Sequence, residues 1–282
     1  MDEAEFIASQ MALYAACPDV QVIQTRMRLQ LVRGWRIPEG ARVLEVGCGQ
    51  GDMTAVLAHV VGSSGRVTAI DNADPDYGGP VTVGRSAEHL SESALGPRIA
   101  FHYGYDLLDE ANGFPPDSFD YVVFAHCSWY FGSLDQLRRS LARVRPWAST
   151  LCFAEWDLEP RSIDQVAHML AVLIQGQVEA YQTDSDANVR SPFSGSTLRG
   201  LLGETDWSIA SDESIDTGPL HDGRWEIDRC LETSTDEAEG LDLPQKLVDL
   251  IGSQTEILGL LAEKHGSRSL PSYSIVASKS LA

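Results

Sequence analysis

The protein has 282 residues, of which 43% are hydrophobic and 22% are charged, a composition typical of a globular protein with a sizeable core. Acidic residues outnumber basic ones by 41 to 21, which gives a formal net charge of −20. A field of this sign repels phosphate backbones and anionic lipid surfaces, so it argues against nucleic acid and membranes as partners.

The first half of the chain alternates strands with helical segments. Two helices are predicted before Trp35, broken at Cys17-Pro18, where proline disfavours a continuing helix. Predicted strands follow at 42–46, 66–70, 98–103, 118–125 and 150–154, with a helix at 52–60 after the first of them. Such alternation implies parallel pairing through right-handed crossovers, so we expect a doubly wound α/β domain.

The rhythm changes after Pro160. Ser162 to Gln165 is typical of a capping box, and a long amphipathic helix is predicted to continue from it through Tyr181. Later elements are a helix at 197–202, a strand at 207–215, a helical insertion interrupted near Gly240 and Pro244, and a strand at 272–278. The added helices do not belong to a minimal nucleotide-binding fold.

The first predicted strand ends in a glycine loop. Gly47, Gly49 and Gly51 alternate after a buried strand, which lets a ligand approach the backbone closely. Asp71 ends the next strand 20 residues after Gly51, where a carboxylate can accept both hydroxyls of a ribose. Dinucleotide sites and S-adenosylmethionine (SAM) sites share this pair of features, so the pair alone predicts only a nucleoside-like ligand.

The neighbours of the loop carry a family resemblance. Glu-Val-Gly-Cys-Gly-Gln-Gly at 45–51 resembles the first motif of class I SAM-dependent methyltransferases, and similar motifs at 104–106 and 116–123 extend the resemblance over 42–158. It implies that Glu45 supports the methionyl amine, that Asp71 holds the ribose and that Asp106 lies on the adenine side. The cofactor-binding residues expected on this basis are Glu45, Gly47, Cys48, Gly49, Gly51, Asp71, Asn72, Asp106, Leu107 and His126.

The same resemblance implies the fold and the organisation of the chain. We expect a Rossmann-like methyltransferase fold, with a mostly parallel seven-stranded sheet, an antiparallel last strand and added helical lids. The expected parts are an N-terminal helical lid at 1–36, a SAM-binding core at 37–160, a helical lid insertion at 161–196, and the rest of the core at 197–282 with a helical insertion at about 224–262.

Two other function classes also use a glycine loop of this kind. Short-chain dehydrogenases need a Tyr-x-x-x-Lys pair, and none of the three lysines follows a tyrosine at that spacing. The loop also lacks the Gly-x-Gly-x-x-Gly arrangement, so an NAD(P)-dependent oxidoreductase is disfavoured. A SAM-fold protein that binds the cofactor without transferring methyl, such as a cyclase, decarboxylase or regulator, stays open.

Candidate catalytic residues follow the fourth and fifth strands, because reacting groups gather at the carboxyl ends of parallel strands. His126 is either a base for an acceptor hydroxyl or ring nitrogen, or a histidine hydrogen-bonded to the backbone. Glu155 either holds a substrate amine or accepts a proton, or is a solvated charge at a strand end.

Aromatic and acidic residues near these positions are the candidates for substrate binding. Trp129 and Tyr130 either stack on an aromatic acceptor or pack the lid. The full set of expected substrate-binding residues is Trp129, Tyr130, Trp156, Asp157 and Tyr181. His168, His221 and Trp225 lie on predicted lid elements. Each of them either reaches the site or has a structural role.

The prediction is therefore a SAM-dependent methyltransferase of a small aromatic or amine-bearing metabolite, with the C, N or O identity of the acceptor left open. No metal is expected, because no two of the seven histidines lie three or four residues apart. The five scattered cysteines, the acidic N-terminus and the lack of a long apolar run predict a soluble cytoplasmic protein. Assembly of a homo-oligomer through the helical insertions is left open.

Overall fold

The computed structural model of the protein describes residues 2–183, 185 and 187–279. Its strands are β1 Arg42–Val46, β2 Arg66–Ile70, β3 Ile99–His102, β4 Phe119–Ala125, β5 Ala148–Trp156, β6 Trp207–Ile215 and β7 Ser272–Lys279. Its helices are α1 Glu3–Ala8, α2 Pro18–Trp35, α3 Asp52–Val60, α4 Val83–Glu92, α5 Leu134–Val144, α6 Val166–Glu179, α7 Gly195–Glu204, α8 Asp222–Gly240 and α9 Gln245–His265.

All seven strands form one sheet in the order β3-β2-β1-β4-β5-β7-β6. The first five strands pair in parallel, and β7 runs antiparallel between β5 and β6. The predicted mostly parallel sheet with an antiparallel last strand is therefore confirmed. The strand order reverses at β1, which pairs with β2 on one side and β4 on the other, and such a switch point opens a crevice at the carboxyl ends of the strands.

Helices cover both faces of the sheet. Successive side chains of a strand point to opposite faces, so Val43 packs beneath α2 and α3, while its neighbour Leu44 packs with the buried residues of α5. This double burial explains why β4 and β5 carry continuous apolar runs, at 121–125 and 151–154, rather than alternating ones. The indole N–H of Trp35 donates to Ser274 Oγ at 2.9 Å and joins the end of α2 to β7.

Three helices form a separate cluster. Helices α6, α8 and α9 pack on one another through a core of their own, which comprises Ala167, Ala171, Ile174, Val178, Ile227, Cys230, Ala238, Ile251 and Leu258. The Nδ1 atom of the His168 ring accepts the backbone N–H of Leu270 at 2.9 Å and links the cluster to the start of β7. Within the described ranges, no helix combines the length and apolar character that a membrane span requires.

Several boundaries differ from the sequence-based expectation. Strand β5 continues past Ala154 to Trp156, because β7 supplies partners for both added residues. The prediction of a capping box at Ser162 is wrong. Residues 163–165 form a 3-10 turn, and the Ser162 hydroxyl donates a hydrogen bond to the Asp164 carboxylate instead of capping a helix. Helix α6 then ends at Glu179, two residues before Tyr181.

Candidate active site

The glycine loop after β1 is packed against protein at both ends and open in the middle. All three glycines have left-handed backbone conformations, with φ values of 73° at Gly47, 50° at Gly49 and 88° at Gly51. A Cβ at Gly47 would lie 2.5 Å from the Cβ of Cys127, and one at Gly51 would lie 3.1 Å from a methyl of Leu90. A Cβ at Gly49 would meet nothing within 4 Å, so the space for a ligand begins there.

Asp71 is held against this loop. Its Oδ2 atom accepts the backbone N–H of Gly49 at 2.8 Å, and its Oδ1 atom accepts the N–H of Ala73 at 2.9 Å. A carboxylate has about four lone-pair positions, so both oxygens retain capacity for hydroxyl donors. The loop and the acid that the sequence placed 20 residues apart thus form one unit.

Glu45 is the buried carboxyl beneath the loop. It is 2% exposed, and the hydroxyl of Thr54 donates to its Oε2 atom at 2.6 Å. Burial raises the pKa of Glu45 to about 8, against the opposing effects of the Thr54 hydrogen bond and of the Arg28 charge. A cationic group placed beside Glu45 would favour the ionised form.

Arg28 is the site residue that the sequence analysis missed. It lies partly buried on α2, and its charge acts on the pKa values of Glu45, His126 and Asp222. Among the described residues, no carboxylate lies within 4.0 Å of it, and its guanidinium donates only to Gln24 Oε1 at 3.4 Å. An arginine in this position is available to an anionic group of a ligand.

A sequence signal for Arg28 exists in the helical spacing. Gln21 and Thr25 precede it by seven and three residues, so the three polar side chains share one face of α2. Gln21 and Thr25 are 4% and 0% exposed, and Gln21 donates to Asp52 Oδ1 at the start of α3. Buried polar residues on one face of a helix indicate a polar site beneath it.

His126 lies directly after β4 and is fixed by three contacts. Its backbone has a left-handed φ of 51°, and its N–H donates to the carbonyl of Ala154 at 2.9 Å. Its ring Nε2 atom lies 3.0 Å from the hydroxyl of Ser272, and the ring packs against Trp156 with 5.1 Å between ring centroids. Burial, aided by the Arg28 charge, lowers the pKa of His126 to about 3, so the ring is neutral at physiological pH.

Glu155 holds the segment that carries His126. It is 1% exposed, and its Oε2 atom accepts both the backbone N–H of Ser128 at 2.9 Å and the Ser128 hydroxyl at 2.6 Å. Its Oε1 atom accepts the N–H of Trp156 at 3.0 Å. Burial raises the pKa of Glu155 to about 7, while these hydrogen bonds oppose the shift. Its geometry favours positioning of the loop over direct contact with a substrate.

The aromatic candidates separate into two environments. Trp129 is 3% exposed in the core on the α5 and α7 side of the sheet, whereas Tyr130 is 41% exposed. The pKa of Tyr130 is nevertheless raised, first by partial burial and then by the charge of Glu226 on α8. Trp156 lies between the rings of His126 and His168.

The remaining candidates differ in their exposure. Asp157 is 6% exposed and accepts the N–H of Glu159 at 3.2 Å, while Tyr181 is 49% exposed beyond the end of α6. Asp106 is exposed and accepts the N–H of Leu108 at 2.8 Å. Cys48 and Leu107 are buried, Asn72 is exposed, and His221 packs its ring against that of Trp225.

No metal centre is evident in the described part of the chain, where no three His, Cys, Asp or Glu side chains are grouped to hold an ion. The site consists of an open glycine loop, the acid Asp71 after β2 and a buried carboxyl at the switch point of a seven-stranded sheet. This arrangement, with an antiparallel β7, defines the class of Rossmann-like proteins with the methyltransferase fold.

Comparisons with known proteins agree with this class. Residues 11–77 match the family model of protein-L-isoaspartate(D-aspartate) O-methyltransferase. A solved structure from Lactobacillus casei, described as a cyclopropane-fatty-acyl-phospholipid synthase-like protein, superposes with a TM-score of 0.86 at 33% identity, over 98% of each chain. The chain belongs to the class I SAM-dependent methyltransferase family.

Curated relatives are also methyltransferases. The chain is 32% identical over 166 residues to methyltransferase phomM' of Diaporthe leptostromiformis, a match that covers 51% of this chain and 42% of that protein. The chain thus spans less than half the length of that relative. The ubiquinone/menaquinone biosynthesis C-methyltransferase UbiE of Vibrio vulnificus is 28% identical over 194 residues, 65% of this chain and 71% of its own.

Proposed function

We propose that the protein is a SAM-dependent methyltransferase that methylates a small aromatic or amine-bearing metabolite. The observation that carries the proposal is the loop that opens at Gly49 between Asp71, Glu45 and an arginine without a carboxylate partner among the described residues. The methyltransferase names of the relatives support the same activity.

The residues around the loop fit the chemical groups of SAM. Asp71 retains acceptor capacity for ribose hydroxyls, and the missing side chain of Gly49 leaves room beside the backbone. Glu45 would accept the ammonium of the amino-acid part, and Arg28 would donate to its carboxylate. When bound, SAM supplies a methyl group on an activated sulfonium, so the chain has to orient the acceptor and exclude water.

Exclusion of water is the role we assign to the added helices. Helices α1 and α2 would form one lid, since α2 carries Arg28 into the site. Helices α6, α8 and α9 would form the second, because Glu226 on α8 faces Tyr130 closely enough to shift its pKa. The core between them would hold the cofactor.

Charge at this second lid supports an amine-bearing acceptor. Burial raises the pKa values of both Asp222 and Glu226, which lie one turn apart on α8. The Oδ2 atom of Asp222 is buried without a hydrogen-bond partner among the described residues. A cationic amine beside α8 would compensate these carboxyls, and Trp156 beside His126 would pack an aromatic ring.

The proposed setting is the cytoplasm, with small molecules rather than nucleic acids or membranes as partners. All five cysteines are free, which suits a reducing compartment. The net charge of −20 opposes binding to phosphate-rich surfaces.

Incubation of the purified protein with SAM and a metabolite extract tests the proposal. We expect S-adenosylhomocysteine to form, and we expect a variant with an impaired cofactor site, Asp71→Ala, to lose this product. Tight SAM binding without product in any extract would instead support a cyclase, decarboxylase or regulator. Affinity for NAD and none for SAM would support an oxidoreductase.

Replacement of Arg28 by alanine should weaken SAM binding about tenfold, since a charge-assisted hydrogen bond contributes about 1.5 kcal/mol. Isothermal calorimetry measures the dissociation constant. Arg26→Ala is the matched control, because Arg26 lies on the same helix but pairs with Asp2 at the surface. Equal affinity of Arg28→Ala and Arg26→Ala would show that Arg28 does not hold the cofactor.

SAM binding at pH 7 should release protons from Glu45. With a pKa of about 8, Glu45 is mostly protonated without ligand, and an ammonium beside it would lower that pKa. The affinity for SAM should therefore rise with pH and level off above a pH of about 8, where Glu45 is already ionised without ligand. Calorimetry in buffers of different ionisation enthalpy measures the release, which Glu45→Gln should abolish. Release that persists in Glu45→Gln would assign the proton to another group, such as Glu155.

A further inference from the structure

Ser272, at the first position of β7, contacts the candidate base His126 from a distant part of the sequence. It is 0% exposed, and its Oγ atom lies 2.9 Å from the carbonyl oxygen of Glu155 and 3.0 Å from Nε2 of His126. Its register opposite Trp156 brings it to the carboxyl end of β5, beside the residue that follows β4. The hydroxyl thus bridges two strand ends.

The hydroxyl proton determines the direction of this bridge. A carbonyl oxygen can only accept, so the Ser272 proton is directed to Glu155 or, at 3.3 Å, to the carbonyl of Tyr273. The Oγ atom then accepts, and Nε2 of His126 must be the nitrogen that carries hydrogen. In the opposite tautomer, two lone pairs would face each other at 3.0 Å.

The other ring nitrogen is consequently a bare acceptor. Nδ1 of His126 has no hydrogen-bond partner among the described residues. It is also not one of the polar atoms there that are fully buried without a partner. Because the residue is partly exposed, Nδ1 can accept a hydrogen bond from a bound molecule. The left-handed backbone of His126 and the contact with Trp156 hold the ring in this orientation.

We infer that Ser272 is a positioning residue that fixes His126 as the Nε2–H tautomer, so that Nδ1 accepts a hydrogen bond from an N–H or O–H on the methyl acceptor. This inference rests on the proposed function. It narrows the acceptor to a molecule whose reacting nitrogen or oxygen still carries a hydrogen. The depressed pKa of His126 supports it, because a neutral ring does not repel a sulfonium.

Nuclear magnetic resonance tests the tautomer without activity. In protein labelled with ¹⁵N-histidine, long-range proton–nitrogen correlations distinguish Nε2–H from Nδ1–H, and His126→Gln identifies the signal. His168 is an internal reference, since its Nδ1 accepts the N–H of Leu270 and its proton must be on Nε2. We expect the same pattern for His126. An Nδ1–H pattern in the wild-type protein would overturn the inference even if SAM binds and methyl is transferred.

Variants of Ser272 test the consequence for turnover. Ser272→Ala should remove the tautomer preference and lower kcat about tenfold, within the contribution of a positioned acid–base group, with SAM affinity unchanged. Ser272→Thr, which keeps the hydroxyl, should restore the Nε2–H pattern, and Ser278→Ala is the control on an exposed position of β7. Unchanged kcat and an unchanged tautomer in folded Ser272→Ala would overturn the role of Ser272. If the wild-type protein does not bind SAM, the proposed function is overturned instead.

Discussion

Asp71→Ala is expected to weaken SAM binding by about 2 kcal/mol, a factor of about 30 in the dissociation constant. Two effects add. The variant loses charge-assisted hydrogen bonds to the ribose, and it also frees the backbone N–H groups of Gly49 and Ala73, which Asp71 now accepts. The glycine loop should therefore lose order as well as a ligand contact. Calorimetry with SAM and with S-adenosylhomocysteine measures the first effect, and denaturant unfolding measures the second.

Asp74→Ala is the matched control for Asp71. Asp74 makes the same kind of local contact, accepting the N–H of Asp76 at 2.9 Å, but it is exposed and does not touch the loop. Its replacement should leave SAM affinity unchanged. Asp71→Asn, which keeps one acceptor oxygen and loses the charge, should fall between the wild type and Asp71→Ala. Wild-type affinity in Asp71→Ala would mean that another residue holds the ribose.

Gly47→Ala is expected to lower the free energy of unfolding by about 3 kcal/mol. The left-handed backbone costs a residue with a Cβ about 1–2 kcal/mol, and overpacking in a core adds about 1–3 kcal/mol. The added Cβ would lie 2.5 Å from the Cβ of Cys127, an atom that cannot move without the backbone that leads to His126. SAM affinity should fall too, because the loop and the segment after β4 would separate. Urea unfolding followed by circular dichroism measures the stability.

Two further variants isolate the collision. Gly34→Ala on α2 meets nothing within 4 Å and has no left-handed backbone, so it should leave stability unchanged or raise it by up to about 1 kcal/mol. The double variant Gly47→Ala/Cys127→Gly removes the opposing Cβ and should recover part of the loss. Once the cost of Cys127→Gly alone is subtracted, which includes the lost contact with the Val46 carbonyl, equal instability of the single and double variants would assign the whole effect to backbone strain at residue 47.

Much of the fold could be predicted from local sequence because it depends on local physics. The runs 42–46, 66–70 and 207–215 form the predicted strands with the predicted bounds, and 52–60 forms the predicted helix. A buried apolar run bounded by glycine or a charged residue has few alternatives. The helix break at Cys17-Pro18 was predictable for the same reason, since proline takes the first position of α2.

Strand ends and caps were less predictable because competing partners decide them. The sequence places Glu155 and Trp156 after a strand, but they are paired within it, since Tyr273 and Ser272 approach from 118 and 116 residues away. Ser162 is a residue type that often caps helices, yet its hydroxyl donates a hydrogen bond to the Asp164 carboxylate two residues later. Neither outcome is determined by the local sequence.

The sequence by itself determined the glycine loop, its acid and the family, because spacing along a strand and the conformational freedom of glycine are properties of consecutive residues. Only the tertiary structure brought Arg28 of α2 to Glu45 and His126, and only it joined Ser272 of β7 to the His126 ring. It also decided the charge state of the site: burial raises the pKa of Glu45 and lowers that of His126. Proximity and desolvation arise from packing between distant segments, and no pattern within one segment encodes them.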